Sequence, residues 1–290
     1  MILVMENRQE LRIYKTAPLP FQGQKRNFVE HFKKALTEFR NVAQVDTVID
    51  LFGGSGLLSH TAKRMYPDLR VIYNDFDDFH VRLATVDVTN KLIKSIREYL
   101  QDCPKEKRIE PSVKFLILSL IRTEEKKGHK IDYITLSSSI MFSGKYATNY
   151  KELEAETLYN NVKKSDYTVD DYLQGIEVVK SDYLQLFNLF KDYQRVLFVL
   201  DPPYLSTDTT TYGSDKYWKL RDYLNVLNVL TANNYIYFTS NKSSLVELCE
   251  WFSENYSLKN PFSGAKIETY KASVNYNAKY TDMMLYKYQC

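Results

Sequence analysis

The segment TVIDLFGGSGLLSHTAKRM, residues 47–65, is the part of the sequence that best indicates the fold of this chain. Residues 47–52 are mostly β-branched or apolar and predict a strand, and residues 57–65 have the pattern of a helix. Between them stand three of the nine glycines in the chain: Gly53, Gly54 and Gly56. A strand, a glycine-rich turn and a helix form the first unit of a nucleotide-binding α/β fold, in which the turn lets the backbone approach a ligand closely.

The spacing of these glycines argues against two common nucleotide sites. The sequence D-x-F-G-G-S-G is neither G-x-G-x-x-G nor a phosphate-binding loop, because no Gly-Lys-Ser or Gly-Lys-Thr follows it. A dinucleotide site and an NTPase site are therefore disfavoured.

Three further predicted strands end in polar or aromatic residues. Residues 70–73, 176–179 and 195–200 are short apolar runs that continue the sheet. The chemistry-bearing residues at the ends of the strands, the first strand included, are Asp50, Asp75, Phe76, Asp182, Tyr183 and Asp201. Because ligands bind beyond the carboxyl ends of parallel strands, we expect these residues at one crevice, with Asp75 placed to accept hydrogen bonds from ribose hydroxyls.

The last of these strands ends in Asp201-Pro202-Pro203-Tyr204. Proline has no backbone N–H, so the two prolines stop the strand and leave carbonyl oxygens without neighbouring donors. The sequence therefore predicts a rigid corner that presents a carboxylate, a free carbonyl and an aromatic face. A strand-ending turn with a capping Asp is the purely structural alternative.

Length, charge and cysteine content limit the classes of protein to which this chain can belong. With 290 residues, the chain can bury a full α/β core with one insertion. A net charge of +3 gives no global argument for nucleic acid, although residues 105–130 and 257–290 are locally basic. The three cysteines, Cys103, Cys249 and Cys290, are scattered, which disfavours a disulfide framework or a zinc site and fits a reducing cytoplasm. No apolar run approaches the 18 residues or so of a membrane span.

The alternation of strands and helices is interrupted between residues 85 and 175. We interpret residues 85–175, which read as helices and polar loop, as an inserted, mainly helical module, and residues 1–84 and 176–290 as the α/β domain. Within the insert, Lys145, Tyr146 and Asn149 offer donors, acceptors and stacking faces of the kind that read base edges.

The predicted site suits an adenosine without a triphosphate, which suggests S-adenosylmethionine as the ligand. An exocyclic aromatic amine is a poor nucleophile, because its lone pair is delocalised into the ring. A carboxylate and a proline carbonyl that accept both N–H bonds would localise that lone pair, while Tyr204 stacks on the base. Such a base must leave its duplex to reach the pocket.

Several motifs together resemble those of the Dam-type, D12-class adenine-N6 DNA methyltransferases, over most of the chain. They are PFQGQK at 20–25, DLFGGSG at 50–56, NDFD at 74–77, KSDY at 180–183, DPPY at 201–204 and SVNYNAKYTDMMLYKY at 273–288.

The resemblance implies a Rossmann-like methyltransferase fold in which the insert is a target-recognition, DNA-binding domain. The implied substrate is double-stranded DNA with a flipped adenine. The implied location is the cytoplasm, for a protein encoded by a bacterium, an archaeon or a phage. A cognate restriction endonuclease is a partner that the resemblance allows. The implied catalytic residues are Asp201, Pro202 and Tyr204. The implied cofactor-binding residues are Phe21, Gly23, Lys25, Asp50, Phe52, Gly53, Gly54, Gly56, Asp75, Phe76, Asp182 and Tyr183.

Other functions stay open at this point. Enzymes that methylate cytosine N4 in DNA hold the amine in the same way but more often have Ser in the place of Asp201, and enzymes that methylate RNA or protein glutamine more often have Asn there. A catalytically silent DNA-binding decoy would not require an intact DPPY motif.

Overall fold

The computed structural model describes residues 12–142, 145–203, 218–275 and 278–289. In these ranges no helix is long and apolar enough to cross a membrane. By their contacts the residues form two compact units. The first comprises Met1–Thr16, Gly23–Asp77 and Leu173–Cys290, and the second comprises Ala17–Gln22 and Asp78–Tyr172.

A single sheet of seven strands runs through the described part of the first unit. The strands are β1 Thr47–Asp50, β2 Arg70–Asn74, β3 Glu177–Val179, β4 Val196–Leu200, β5 Asn234–Ser240, β6 Lys266–Asn275 and β7 Ala278–Lys287. Their order is β3-β2-β1-β4-β5-β7-β6, with β1 to β5 parallel and β7 antiparallel to both β5 and β6. The predicted fold class, a mostly parallel α/β sheet, is confirmed.

Helices flank the sheet in the first unit. They are α1 Val29–Val42, α2 Leu57–Met65, α8 Tyr183–Phe190, α9 Leu220–Leu230 and α10 Leu245–Tyr256, and a short 3₁₀ helix, Arg26–Phe28, precedes α1. The second unit contains the helices α3 Phe79–Ala84, α4 Val86–Tyr99, α5 Pro111–Lys126, α6 Tyr133–Ile140 and α7 Tyr150–Ala155. Outside these helices, Arg108 and Tyr159 form an isolated antiparallel bridge. The prediction that this unit recognises a target sequence stays a prediction.

Each face of the sheet supports its own core. Along β4 every residue is buried, and successive side chains point to opposite faces. Leu197 and Val199 pack with Phe32 and Phe39 of α1, whereas Phe198 packs on the other face with the apolar side of α9. Because both faces are covered, the strand reads in sequence as a continuous apolar run rather than an alternating one.

Candidate active site

The ends of β1 and β4 place two carboxylates near each other. Asp50 is the last residue of β1 and pairs in register with Val199, and Asp201 follows the end of β4. Strand alternation puts Asp50 on the face of the sheet that carries Val48 and α1. The two acidic groups are close enough for the charge of Asp201 to raise the pKa of Asp50.

Asp201 forms an ion pair with Lys25. The side chains are mostly buried, with 13% of Lys25 and 22% of Asp201 exposed. Lys25 is fixed by a hydrogen bond of 3.0 Å from its ammonium to the carbonyl of Gly23, and its Nζ lies 5.7 Å from the centre of the Phe238 ring. Burial raises the pKa of the Asp201 carboxyl, and the Lys25 ammonium opposes that rise.

Asp50 is the more deeply buried carboxyl and is 2% exposed. Its Oδ2 accepts a hydrogen bond of 2.8 Å from the hydroxyl of Ser59, in α2. Burial is the main reason that the pKa of Asp50 is raised to about 7, with the Ser59 hydrogen bond opposing it and the charge of Asp201 adding to it. The carboxyl is therefore poised to gain or lose a proton near neutral pH.

The glycine turn is shaped by Tyr73 of β2. A Cβ on Gly53 would lie 2.1 Å from Cδ2 of Tyr73, which leaves no room for any side chain. The Tyr73 hydroxyl donates a hydrogen bond of 2.6 Å to the carbonyl of Gly54. Gly56 precedes α2 with φ of +69°, in the left-handed region that favours glycine. The sequence did not indicate Tyr73 as the reason for this spacing.

The end of β2 is tied to its neighbours by Asn74. Its side-chain amide donates to the carbonyls of Leu51 and Ser181, at 3.0 Å each, and its oxygen accepts from the N–H of Ser181 at 2.9 Å. Asp75, the predicted ribose ligand, is fully buried, and its N–H donates to the carbonyl of Val179 at 2.8 Å. Asn74 thus holds three strand ends together.

Phe76 follows at once and is 65% exposed. The ammonium of Lys180 lies 6.0 Å from the centre of its ring. An exposed phenyl ring beside a strand end offers an apolar face to a ligand.

The residues after β3 serve two different purposes. Asp182 caps α8, because its Oδ1 accepts from the N–H groups of Leu184 at 2.9 Å and Gln185 at 3.2 Å. One of its carboxylate oxygens is therefore committed to the helix. Tyr183 begins α8, and its hydroxyl donates a hydrogen bond of 3.1 Å to the carbonyl of Asp222. Burial raises the pKa of the Tyr183 phenol.

Tyr183 belongs to an aromatic cluster with Phe52 and Trp218. Its ring is stacked on Trp218, with centroids 5.4 Å apart and planes at 22°, and lies 4.9 Å from Phe52. The Phe52 and Trp218 rings are 5.6 Å apart. Sequence reasoning identified Phe52 and Tyr183 but missed Trp218, because no strand end or motif stands next to it.

The PFQGQK motif is divided between the two units. Gly23 and Lys25 belong to the first unit, whereas Phe21 belongs to the second. There the Phe21 ring packs edge-on against Phe79, with centroids 5.7 Å apart. The structure thus brings Lys25 to Asp201, and it places Phe21 among residues of the helical unit.

For the remaining predicted site residues that it describes, the structure shows position or burial but no contact that indicates a ligand. Pro202 is buried, and Tyr204 lies outside the described residues. In the helical unit, Asn149 caps α7 by accepting from the N–H of Glu152 at 3.0 Å, so part of its hydrogen-bonding capacity is already used. Lys145 is exposed, with its ammonium 3.7 Å from Oε1 of Glu156, and Tyr146 is half-buried. DNA contact by Lys145, Tyr146 and Asn149 stays a prediction.

Comparison with known proteins bears on this site. A sequence model of the D12 class N6 adenine-specific DNA methyltransferase family matches residues 21–230. The chain is also 38% identical over 281 residues to a protein of Haemophilus influenzae named "Putative methyltransferase". That similarity covers 96% of this chain and 94% of the relative. The matched region includes the glycine turn, the aromatic cluster and the ion pair of Lys25 with Asp201.

Proposed function

The chain belongs to the D12 class of N6 adenine-specific DNA methyltransferases, and we propose that it transfers a methyl group from S-adenosylmethionine to N6 of an adenine in double-stranded DNA. The observation that carries this proposal is the Asp201 carboxylate, mostly buried and paired with Lys25 where β4 ends at two prolines. Family membership indicates the type of reaction, and the Asp201 carboxylate is a group that can accept a hydrogen bond from an amine.

The described residues fit S-adenosylmethionine better than a nucleoside triphosphate. Residues 53–62, the glycine turn and the first part of α2, contain no Lys or Arg that could neutralise phosphates. The hydroxyl of Ser59 in this segment is used to hold Asp50. The aromatic cluster of Phe52, Tyr183 and Trp218 offers apolar rings for a purine, and Asp75 is the acidic residue for the ribose.

When bound, S-adenosylmethionine supplies an electrophilic methyl group on a sulfonium sulfur. The protein's part is to hold the amine of the base. In its ionised form Asp201 accepts an N–H hydrogen bond from that amine, and the carbonyl of Pro202 accepts the second. Both hydrogen bonds draw the nitrogen lone pair out of conjugation with the ring. The role of the Pro202 carbonyl as an acceptor rests on the sequence prediction that residues 201–204 form a rigid corner with a free carbonyl.

Lys25 sets the charge state that this role requires. A buried carboxyl tends to stay protonated, and a protonated Asp201 would lose acceptor capacity. The ammonium of Lys25 favours the ionised form. The amine of the substrate then competes with Lys25 for the same carboxylate oxygens, so we expect this ion pair to loosen when a base is bound.

The substrate must be presented as a single base. The exocyclic amine of adenine is shielded inside a duplex, so the nucleotide has to leave the stack before Asp201 can bind it. We assign reading of the surrounding sequence to the helical unit. A cytoplasmic location with DNA, and a cognate endonuclease as a partner, belong to the same proposal.

The proposal is tested by methyl transfer from radiolabelled S-adenosylmethionine to unmodified duplex DNA. We expect transfer by the wild-type protein and a loss of about 10³-fold or more in Asp201→Ala, because the hydrogen-bond acceptor for the amine is gone. Binding of S-adenosylmethionine should survive in this variant. The exposed Asp192→Ala, in the loop before β4, is the matched control and should retain activity. Undiminished transfer by Asp201→Ala would refute the mechanism, and an inert wild type would refute the function.

A further inference from the structure

The helical unit contains a surface cavity of about 300 Å³ whose charged lining residues are all basic. The turn after α4 forms one wall, and the segment 160–164 forms the other. Arg97, Lys105, Lys163 and Lys164 line it, and no Asp or Glu occurs among the residues found to line it. We refer to it as the α4 cavity.

Arg97 stabilises the wall of the cavity that contains Lys163 and Lys164. Its guanidinium donates to the carbonyl of Lys163 at 2.9 Å and to the carbonyl of Ser165 at 3.2 Å, and forms a contact of 2.6 Å with the carboxylate of Asp166. The charge of Arg97 is thereby largely balanced by Asp166. Its contribution is to hold the backbone of residues 163–166 in place.

Asn160 joins the two walls. Its side-chain amide donates a hydrogen bond of 2.6 Å to the carbonyl of Cys103, and its backbone carbonyl accepts from the N–H of Glu106 at 2.9 Å. The ammonium of Lys105 contacts the carbonyl of Val162 across the cavity. Asn160 is 6% exposed. These contacts hold the two walls of the cavity together.

Lys105, Lys163 and Lys164 add three further positive charges to the lining of the cavity. The ammonium of Lys163 lies 4.8 Å from the centre of the ring of Tyr167, which limits the orientations of the side chain. Lys163 and Lys164 are exposed, so their charges are available to a ligand outside the protein. A group with several anionic oxygens is the ligand that such a site favours.

We propose that the α4 cavity binds a phosphate of the DNA backbone. This rests on the proposed function, which makes duplex DNA the substrate. Exposed lysines at a preformed surface site are suited to phosphodiester contacts, which position a protein on DNA without reading its sequence. An enclosed site for a free anion would instead surround it with buried donors. The α4 cavity thus anchors the duplex to the unit to which we assign sequence reading.

The first test is the salt dependence of binding to a fluorescently labelled duplex of random sequence, measured by anisotropy. For the double variant Lys163→Glu, Lys164→Glu we expect binding at least about 10-fold weaker, and a plot of log K against log salt that is shallower by about 1 to 2. The double variant Lys191→Glu, Lys259→Glu is the matched control, because these exposed lysines lie in the first unit and the net charge changes equally.

The two proposals fail differently in this experiment. If the wild type binds DNA and the cavity variant keeps its affinity and slope, or loses no more than the control, the cavity proposal alone is wrong. If the wild type binds no duplex DNA at all, the proposed function is wrong as well.

The second test needs no substitution, because Cys103 lines the cavity. Its rate of modification by N-ethylmaleimide is measured by peptide mass, with and without duplex DNA, and with inorganic phosphate at the same phosphate concentration. We expect the duplex to slow modification of Cys103 at least about threefold, because a bound phosphodiester both covers the thiol and disfavours its thiolate. An unchanged rate with DNA, or protection by inorganic phosphate but not by DNA, would overturn the proposal.

Discussion

The ammonium of Lys25 is paired with the carboxylate of Asp201, and neither side chain is more than 22% exposed. Lys25 immediately precedes the 3₁₀ helix that leads into α1, and Asp201 follows β4, so the pair joins two segments far apart in the chain. The contact balances the charge of a carboxylate that is mostly buried at the candidate active site. It links the charge state of the site to the position of a single lysine.

Removal of this lysine should change the pH dependence of methyl transfer. In Lys25→Met, burial acts on Asp201 without an opposing cation, so the pKa of Asp201 rises above its value in the wild type. If transfer needs ionised Asp201, the acidic limb of kcat/KM against pH moves to higher pH. At pH 6 the kcat/KM of Lys25→Met should be about 10²-fold below that of the wild type, and the difference should be smaller at pH 9.

Lys33→Met is the control for that experiment. Lys33 lies in α1 and pairs with Glu30, whose side chain is 76% exposed, so its loss should leave the pH profile unchanged. A Lys25→Met profile that is lower but has the same shape would show that Lys25 does not act through the charge of Asp201.

Asp50 should make the stability of the protein depend on pH. Its pKa is raised to about 7 in the folded state, against about 3.9 in an unfolded chain. Between these values the native state binds a proton that the unfolded state has released, so Asp50 lowers stability as the pH rises. Relative to wild type, Asp50→Asn should gain up to about 4 kcal/mol of unfolding free energy from pH 4 to pH 8.

Urea unfolding followed by circular dichroism, without cofactor, measures this difference. The exposed Asp102→Asn serves as the control for loss of a carboxyl group at the surface. A difference between Asp50→Asn and wild type that stays constant across this range would contradict the raised pKa.

Gly53 should be intolerant of even a methyl group. Its Cβ would meet Cδ2 of Tyr73 at 2.1 Å and the carbonyl oxygen of Asn74 at 3.1 Å, so Gly53→Ala forces the turn or the ring to move. We expect a cost of about 3 kcal/mol in unfolding free energy. Gly264→Ala is the comparison, because its φ is +73° but nothing lies within 4 Å, and only backbone strain of about 1 kcal/mol is expected.

The combination of Gly53→Ala with Tyr73→Ala identifies the cause. If the ring causes the cost, the double variant is less destabilised than the sum of the two single variants. Strict additivity would assign the need for glycine to something other than Tyr73.

The aromatic cluster should report and support cofactor binding. The chain has two tryptophans, so in a Trp251→Phe background the fluorescence comes from Trp218 alone. We expect S-adenosylmethionine to change this fluorescence, and Tyr183→Leu to weaken binding about 10-fold through loss of ring stacking. Tyr193→Leu, at a tyrosine that is 63% exposed, should bind as the wild type does. Equal affinities for the Tyr183 and Tyr193 variants would contradict a cofactor site at this cluster.

Local patterns predicted the framework of the fold well. The strand before Asp201 and the turn at Gly53 are encoded by consecutive residues, because apolar runs and glycines determine backbone conformation where they occur. The runs at residues 267–272 and 283–288 likewise predict the two last strands, but each strand is longer than its run: β6 is Lys266–Asn275 and β7 is Ala278–Lys287. Hairpin partners add strand residues beyond the apolar run that first indicates them.

Tertiary contacts were less accessible from the sequence. The pairing of Lys25 with Asp201 depends on the path of the chain between them, and Trp218 has no neighbouring motif to mark it. The caps at Asp182 and Asn149 could have been found, since both are helix-capping residue types placed just before a helix. Both residues also lie in motifs that suggest chemistry, and the sequence therefore predicts ligand contacts for them instead of caps.

The identity of the methylated nucleoside distinguishes adenine-N6 methylation of DNA from the alternative reactions. Unmodified duplex DNA, and separately RNA, is incubated with the protein and S-adenosylmethionine that carries a deuterated methyl group, then digested and analysed by mass spectrometry. We expect deuterium in N6-methyladenine from the duplex, with none in N4-methylcytosine and none after Asp201→Ala. Deuterium in N4-methylcytosine, or in RNA but not in DNA, would contradict it.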